Sequence, residues 1–184
     1  AANGDLENTE WSKPVRLGDG YLKNKPFVTM TGDWLYPIEH MGPNGWRGRY
    51  AAGQPMEAKF IHPRPELNHA NFFVSRDQGK TISYLSQALI PEEQRTWQEH
   101  MIVEKKDGRL WMLGRIKDGI GESSSTDQGK TWTNVAPAKG ISGSSSRIFF
   151  QRLRSGNILL IKNGSEINEK PPLRTHLTAY LSED

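Results

Sequence analysis

Short apolar and aromatic runs alternate along the chain with polar breaks rich in Gly and Pro, and the runs have the length of strands rather than helices. Lys25 to Met30 and Trp34 to Ile38 flank a Thr31-Gly32-Asp33 turn, which predicts a hairpin. Asn71 to Val74 and Ile82 to Leu85 predict a second. Met101 to Glu104, a Lys105-Lys106-Asp107-Gly108 turn and Leu110 to Arg115 predict a third. Arg147 to Leu153, an Arg154-Ser155-Gly156-Asn157 turn and Ile158 to Lys162 predict a fourth, and Leu177 to Leu181 reads as a last strand. Pro91 to Arg95 reads as one short helical turn. Residues 41–67, with Gly42-Pro43-Asn44-Gly45 and Pro63-Arg64-Pro65, show no period and predict a long surface excursion of the kind that often carries function. The chain is therefore expected to be all-β and antiparallel.

Two of these hairpins share one eight-residue turn. Ser75-Arg76-Asp77-Gln78-Gly79-Lys80-Thr81-Ile82 and Ser125-Thr126-Asp127-Gln128-Gly129-Lys130-Thr131-Trp132 begin 50 residues apart, and Ser182-Glu183-Asp184 starts an incomplete third copy. Each position has a mechanical reason. Gly79 and Gly129 supply positive φ, Asp77 and Asp127 supply short acceptors for turn amides, and Trp132 is placed to fold back over its own turn. A hairpin repeat of this period is that of a propeller blade. It divides a single domain, residues 1–184, into three blade-like units of about 11–81, 82–131 and 132–184.

Composition narrows the chemistry. The 184 residues include 18 Gly and 11 Pro, which punctuate short strands, and no apolar stretch is long enough for a transmembrane helix. With no cysteine, disulfides, thiolate nucleophiles and Cys-ligated zinc are excluded. The net charge of +3 is spread along the chain, which argues against nucleic acid as a partner. His40, His62, His69, His100 and His176 show no paired ligand spacing, and Gly119-Ile120-Gly121 opens no helix. Neither a metal nor a cofactor is expected. Ala1-Ala2-Asn3-Gly4 does not read as a signal peptide.

The S-x-D-x-G-x-T-W turn resembles the Asp box, or BNR repeat, of the sialidase superfamily. The resemblance implies a β-propeller of six four-stranded antiparallel blades, about three of them in this chain, with the boxes on the rim away from the active site. It also implies a secreted or periplasmic glycoside hydrolase that releases a terminal, acidic sugar from a glycan. Trp97 to Arg115 resembles a core segment of that family, in which an acidic residue opens a strand, a D-G turn follows, and an Arg closes the next strand. Glu99 and Arg115, 16 residues apart, fall at those places. The resemblance gives Glu99 the task of taking the proton from a tyrosine nucleophile, expected beyond residue 184, because phenol is protonated at neutral pH. It makes Arg115 one of three guanidinium groups holding the sugar carboxylate. Arg147 opens the corresponding strand of the next unit and is a second basic contact. Where the family carries Arg-Ile-Pro, this chain has Asn24-Lys25-Pro26-Phe27, so Lys25 keeps a charge without the planar fork. Asp33 and Glu39 are the nearby carboxylates for the acid/base position.

Two other readings use the same scaffold: a polysaccharide lyase or a different exo-glycosidase, and a non-catalytic glycan-binding propeller. In a polysaccharide lyase, His40 at the end of a strand or His100 beside Glu99 abstracts a proton near a uronate, although strand alternation turns His100 away from Glu99. In a non-catalytic glycan-binding propeller, Glu99, Arg115 and Arg147 do not converge on one cavity. Of the six tryptophans, Trp34 and Trp111 read as core residues, Trp132 belongs to its turn and Trp11 resembles the Trp ending a preceding box, leaving Trp46 and Trp97 as sugar-stacking candidates.

Overall fold

The computed structural model describes residues 11–18, 20–40, 65–164 and 174–182. Within them the chain is antiparallel sheet, with 3-10 turns at Pro65–Leu67 and Glu92–Gln94 and no α-helix among the described residues. The second turn lies inside the expected Pro91 to Arg95 segment.

Three sheets follow one another in sequence. The first orders β1 (Tyr21–Leu22), β3 (Trp34–Glu39), β4 (Ala70–Ser75) and β5 (Ser83–Ala88), with β2 (Phe27–Val28) also on the free side of β3. Leu22 pairs with Ile38 and Phe27 with Leu35, so Lys23 to Pro26 stand opposite only Tyr36 and Pro37. Neither Pro26 nor Pro37 has an N–H to donate, and the edge strand splits there. The surplus residues bulge outward and carry Lys23 and Asn24. The second sheet orders β6 (Met101–Glu104), β7 (Leu110–Ile116), β8 (Gly119–Ser125) and β9 (Ala136–Pro137). The third orders β10 (Phe149–Arg152), β11 (Ile158–Lys162) and β12 (Thr178–Ser182).

β8 is a strand that no apolar pattern announces. Its sequence, Gly-Ile-Gly-Glu-Ser-Ser-Ser, pairs along its whole length with β7, from Leu110 opposite Ser125 to Ile116 opposite Gly119. Gly121 is required there, because a Cβ would come within 2.7 Å of both Ile116 and Val135 side chains. The eight-residue turns lie inside sheets, between β4 and β5 and between β8 and β9. The hydrogen-bonded sheets accordingly span 21–88, 101–137 and 149–182.

Period-two alternation makes the second sheet apolar on both faces. Ile102, Leu110, Met112 and Ile116 pack with Leu35, Phe72 and Val74 of the first sheet and with Ile90 just after it. Met101, Val103 and Leu113 pack with Ile148, Phe150, Ile158 and Leu160 on the third-sheet side. Burial of this kind stabilises by about 25 cal/mol per Å² of apolar surface and fixes the sheets against each other, and with them the ends of β1, β6 and β10.

The two turns are near copies. Gly79 N–H donates to Ser75 Oγ at 2.8 Å and Thr81 N–H and Oγ1 donate to the Asp77 carboxylate at 2.9 and 2.6 Å. Gly129 and Thr131 repeat these bonds to Ser125 and Asp127 at 2.8, 2.9 and 2.6 Å. Positive φ falls on Gln78 and Gln128 as well as on the following Gly. Trp132 does fold back, its Nε1 donating to Gly129 O and to Ser86 Oγ at 3.1 Å each. Its ring stacks on Phe72 at 4.2 Å, so the turn of the second sheet is anchored to the first.

Candidate functional site

At the ends of β1, β6 and β10 remote from the Asp boxes, three entering segments meet around Asn24. Its Nδ2 donates to the carbonyls of Glu99 and His100, each at 2.9 Å. Its Oδ1 accepts from Arg147 at 2.9 Å through one terminal nitrogen and 3.3 Å through Nε. One neutral amide thus ties a bulge of the first sheet to the entry of the second and the third. The backbone it holds is unusual: Glu99 has φ of 44°, a left-handed conformation uncommon for a residue with a Cβ. A strained residue persists where its surroundings over-determine it, and such residues cluster at functional sites.

The charges converge on the same place. Arg115 lies 3.5 Å from Glu99 Oε2, and its Nε donates to Ser145 Oγ at 3.0 Å. Ser145 in turn donates to Ile116 O at 2.7 Å, which fixes the acceptor. The Lys23 ammonium lies 2.7 Å from Glu39 and 3.7 Å from Glu99, over the Trp97 ring at 4.1 Å from its centroid. Glu39 is 1% exposed and accepts the Gln98 N–H at 3.1 Å. Burial pushes its carboxyl pKa up, opposed by the Lys23 ammonium and the Gln98 N–H. The result is a shallow site in which Lys23, Arg115 and Glu99 are partly exposed and Arg147 is at the surface. Two fixed guanidinium groups can hold an anion or the hydroxyls of a sugar, and Glu99 can accept or return a proton.

A family model described as a BNR repeat-like domain matches residues 5–184. The chain belongs to the BNR repeat-like domain family. No curated protein matches it significantly. Its fold is shared with solved structures at low identity. A protein of unknown function from Dyadobacter fermentans superposes with a TM-score of 0.57 at 19% identity over 79% of this chain and 34% of that one. The NanB sialidase of Streptococcus pneumoniae gives 0.52 at 19% identity over 76% and 18%. An α-L-arabinofuranosidase of Fusarium graminearum gives 0.54 at 14% identity over 92% and 49%. This BNR repeat-like chain therefore spans between 18% and 49% of the length of these structures and has the fold of part of a sialidase-like β-propeller.

The expected site residues fall into two groups within the BNR repeat-like domain. Glu99, Arg115, Arg147 and Glu39 meet, although Glu39 lies beneath the surface and supports Lys23 rather than facing a ligand. Lys25 is exposed, and the ammonium among these carboxylates is that of Lys23. Asp33 lies at the other end of β3, about 20 Å away at the spacing of an extended strand, and pairs with Arg76 at 3.4 Å. His40 is 8% exposed with its ring stacked on Phe73, 6.0 Å between centroids. His100 is 1% exposed, bonded through Nε2 to Asn71 O at 2.9 Å and edge-on to Phe72. It packs the first sheet to the second and does not face a ligand. Trp97 is covered on one face by Lys23, and Trp46 lies outside the described residues. Sequence reasoning missed Lys23, Asn24 and Ser145. A signal existed for Ser145 in the Ser144-Ser145-Ser146 run just before Arg147, whereas Lys23 and Asn24 depend on the bulge.

Burial holds the His100 pKa down to about 4, with Lys23 adding to the effect, so the ring is neutral in the fold and charges in the unfolded chain below its ordinary 6.5. Its contribution is complete above about pH 6.5 and is lost as pH falls toward 4. Linkage puts this at about 3 kcal/mol. Urea unfolding at pH 7 and pH 5 is expected to show the loss, and His100→Gln, which keeps a donor for Asn71, to remove that pH dependence. An equal pH slope in the variant would assign the effect elsewhere.

Proposed function

We propose that the protein is a glycoside hydrolase that acts on a terminal acidic sugar, with Arg115 and Arg147 holding the sugar carboxylate and Glu99 managing the proton of the nucleophile. The supporting observation is the convergence of Glu99, Arg115 and Arg147 on one face, linked by Asn24. Arg115 is pre-aimed by Ser145, so little side-chain entropy is lost on binding. Glu99 is held by its own strained main chain, so a carboxylate at this point does not depend on a flexible loop. The fold it shares with a sialidase and an arabinofuranosidase is compatible with exo-acting glycosidases, and the cationic pair favours the acidic sugar over the neutral furanoside.

The test compares an aryl α-sialoside with an aryl α-L-arabinofuranoside on the full-length protein. The expected result is preference for the sialoside, and for Arg115→Ala a rise in KM of roughly 10- to 100-fold, the worth of one charge-assisted pair. Turnover of the furanoside alone, or an unchanged KM in the variant, would reject the acidic-sugar reading.

A further inference from the structure

The Lys23 ammonium belongs to the site yet is closed to a ligand. Its nitrogen and Glu39 Oε2 are both buried from solvent and meet as an ion pair at 2.7 Å, with the Trp97 ring 4.1 Å away. From that seat the ammonium also reaches Glu99 Oε1 at 3.7 Å, while Arg115 stands 3.5 Å from the other oxygen, Oε2. Each oxygen of the Glu99 carboxylate thus has a cation of its own. The next residue, Asn24, bonds the carbonyls of Glu99 and His100. Consecutive residues of one bulge therefore hold the side chain and the main chain of Glu99.

The two partners of Lys23 differ in kind. Glu39 is buried and accepts the Gln98 N–H at 3.1 Å, so it stands apart from the reacting groups. Glu99 is the carboxylate that gains and loses a proton in the proposed chemistry. When Glu99 is neutral, Lys23 still has Glu39, and the ammonium keeps its place through both states of Glu99. A charge held in this way needs no reorganisation as the reaction proceeds. We infer that Lys23 is a positioning residue for Glu99, seated on Glu39 and acting on turnover through the Glu99 carboxylate without touching the sugar. This rests on the hydrolase reading above. Since Arg115 and Arg147 hold the sugar there, Lys23 governs kcat and leaves KM to the two guanidinium groups.

Removing Lys23 alone strands the buried Glu39 charge and endangers the fold. The test therefore replaces both members of the pair, Lys23→Met with Glu39→Gln, in the full-length protein; the glutamine still accepts from Gln98. With an aryl α-sialoside, kcat is expected to fall roughly 10- to 100-fold, the cost of a misaimed catalytic group, while KM stays within about threefold. Lys23→Arg, which keeps a cation beside Glu39, is expected to recover kcat to within about tenfold of the unaltered protein. Placed in a Glu99→Gln background, the same two substitutions are expected to change the residual turnover by less than about threefold, because the group they act through is gone. A fold defect would lower turnover equally in both backgrounds. That result, an unchanged kcat, or a loss that falls on KM instead would overturn the assignment and leave the hydrolase reading standing. If the unaltered protein turns over only the arabinofuranoside, the acidic-sugar reading falls and the variants are compared on that substrate. Turnover of neither substrate would reject the hydrolase reading and this assignment with it.

Discussion

Replacing Glu99 by Gln is expected to lower hydrolysis of an aryl glycoside about 10²- to 10⁴-fold, the range that positioned proton transfer contributes, while sugar binding persists. The two outcomes separate because the side chain and the main chain of residue 99 have different partners. Asn24 grips the carbonyl, so the strained backbone stays in place whichever side chain is present. The amide is nearly isosteric with the carboxylate but leaves Arg115 without its anion. A guanidinium released from an internal carboxylate binds an external one at least as well, so affinity for the acidic sugar is expected to hold or rise. Turnover and equilibrium binding, measured side by side on the full-length protein, check this. Unchanged turnover would remove Glu99 from the chemistry, and loss of binding together with turnover would make it a structural residue.

Truncating Trp132 to Ala is expected to cost about 3 kcal/mol, the low end for a large aromatic because the ring is only half-buried. The ring is the contact between the second Asp box and Phe72, and its Nε1 bonds both Gly129 and Ser86. Against a typical total of about 5–15 kcal/mol, such a loss is a large fraction of the whole. The same position in the first box is Ile82, half-buried, with no such stack, and Ile82→Ala is expected to cost about 1 kcal/mol or less. Denaturant midpoints of the two variants test the contrast. Equal shifts would mean that the turns are self-sufficient and that the tryptophan adds nothing between sheets.

What could be read from the chain followed how local each instruction is. Ser75, Asp77 and Thr81, and their copies Ser125, Asp127 and Thr131, bond within five residues of one another, so their geometry is written where they stand. Glu99 and Arg115 face each other across one short hairpin, but it was the resemblance of Trp97 to Arg115 to a sialidase core segment, not a local bonding pattern, that pointed to them. Asp33 and Glu39 both read as nearby carboxylates, and a strand of six residues sets them at its two ends, so only Glu39 comes near Glu99. Lys25 was expected among the carboxylates and Lys23 stands there, because the split of the edge strand opposite Pro37 appears only once β3 has paired. His100 sits one residue past Glu99, and the period of two that begins at β6 sends its ring between the sheets. β8 was invisible because Gly and Ser carry no apolar pattern, and its order is imposed by β7.

Asn24 carries no charge, and that fact separates two properties of the site. Acid, salt or a neighbouring substitution can alter the pairings of Lys23, Glu39, Glu99 and Arg115, but an amide bonded to two carbonyls and a guanidinium neither titrates nor depends strongly on ionic strength. The frame that spaces the three sheet entrances is therefore insulated from the electrostatics it presents. Charges at this site can therefore change without redrawing the outline of the mouth.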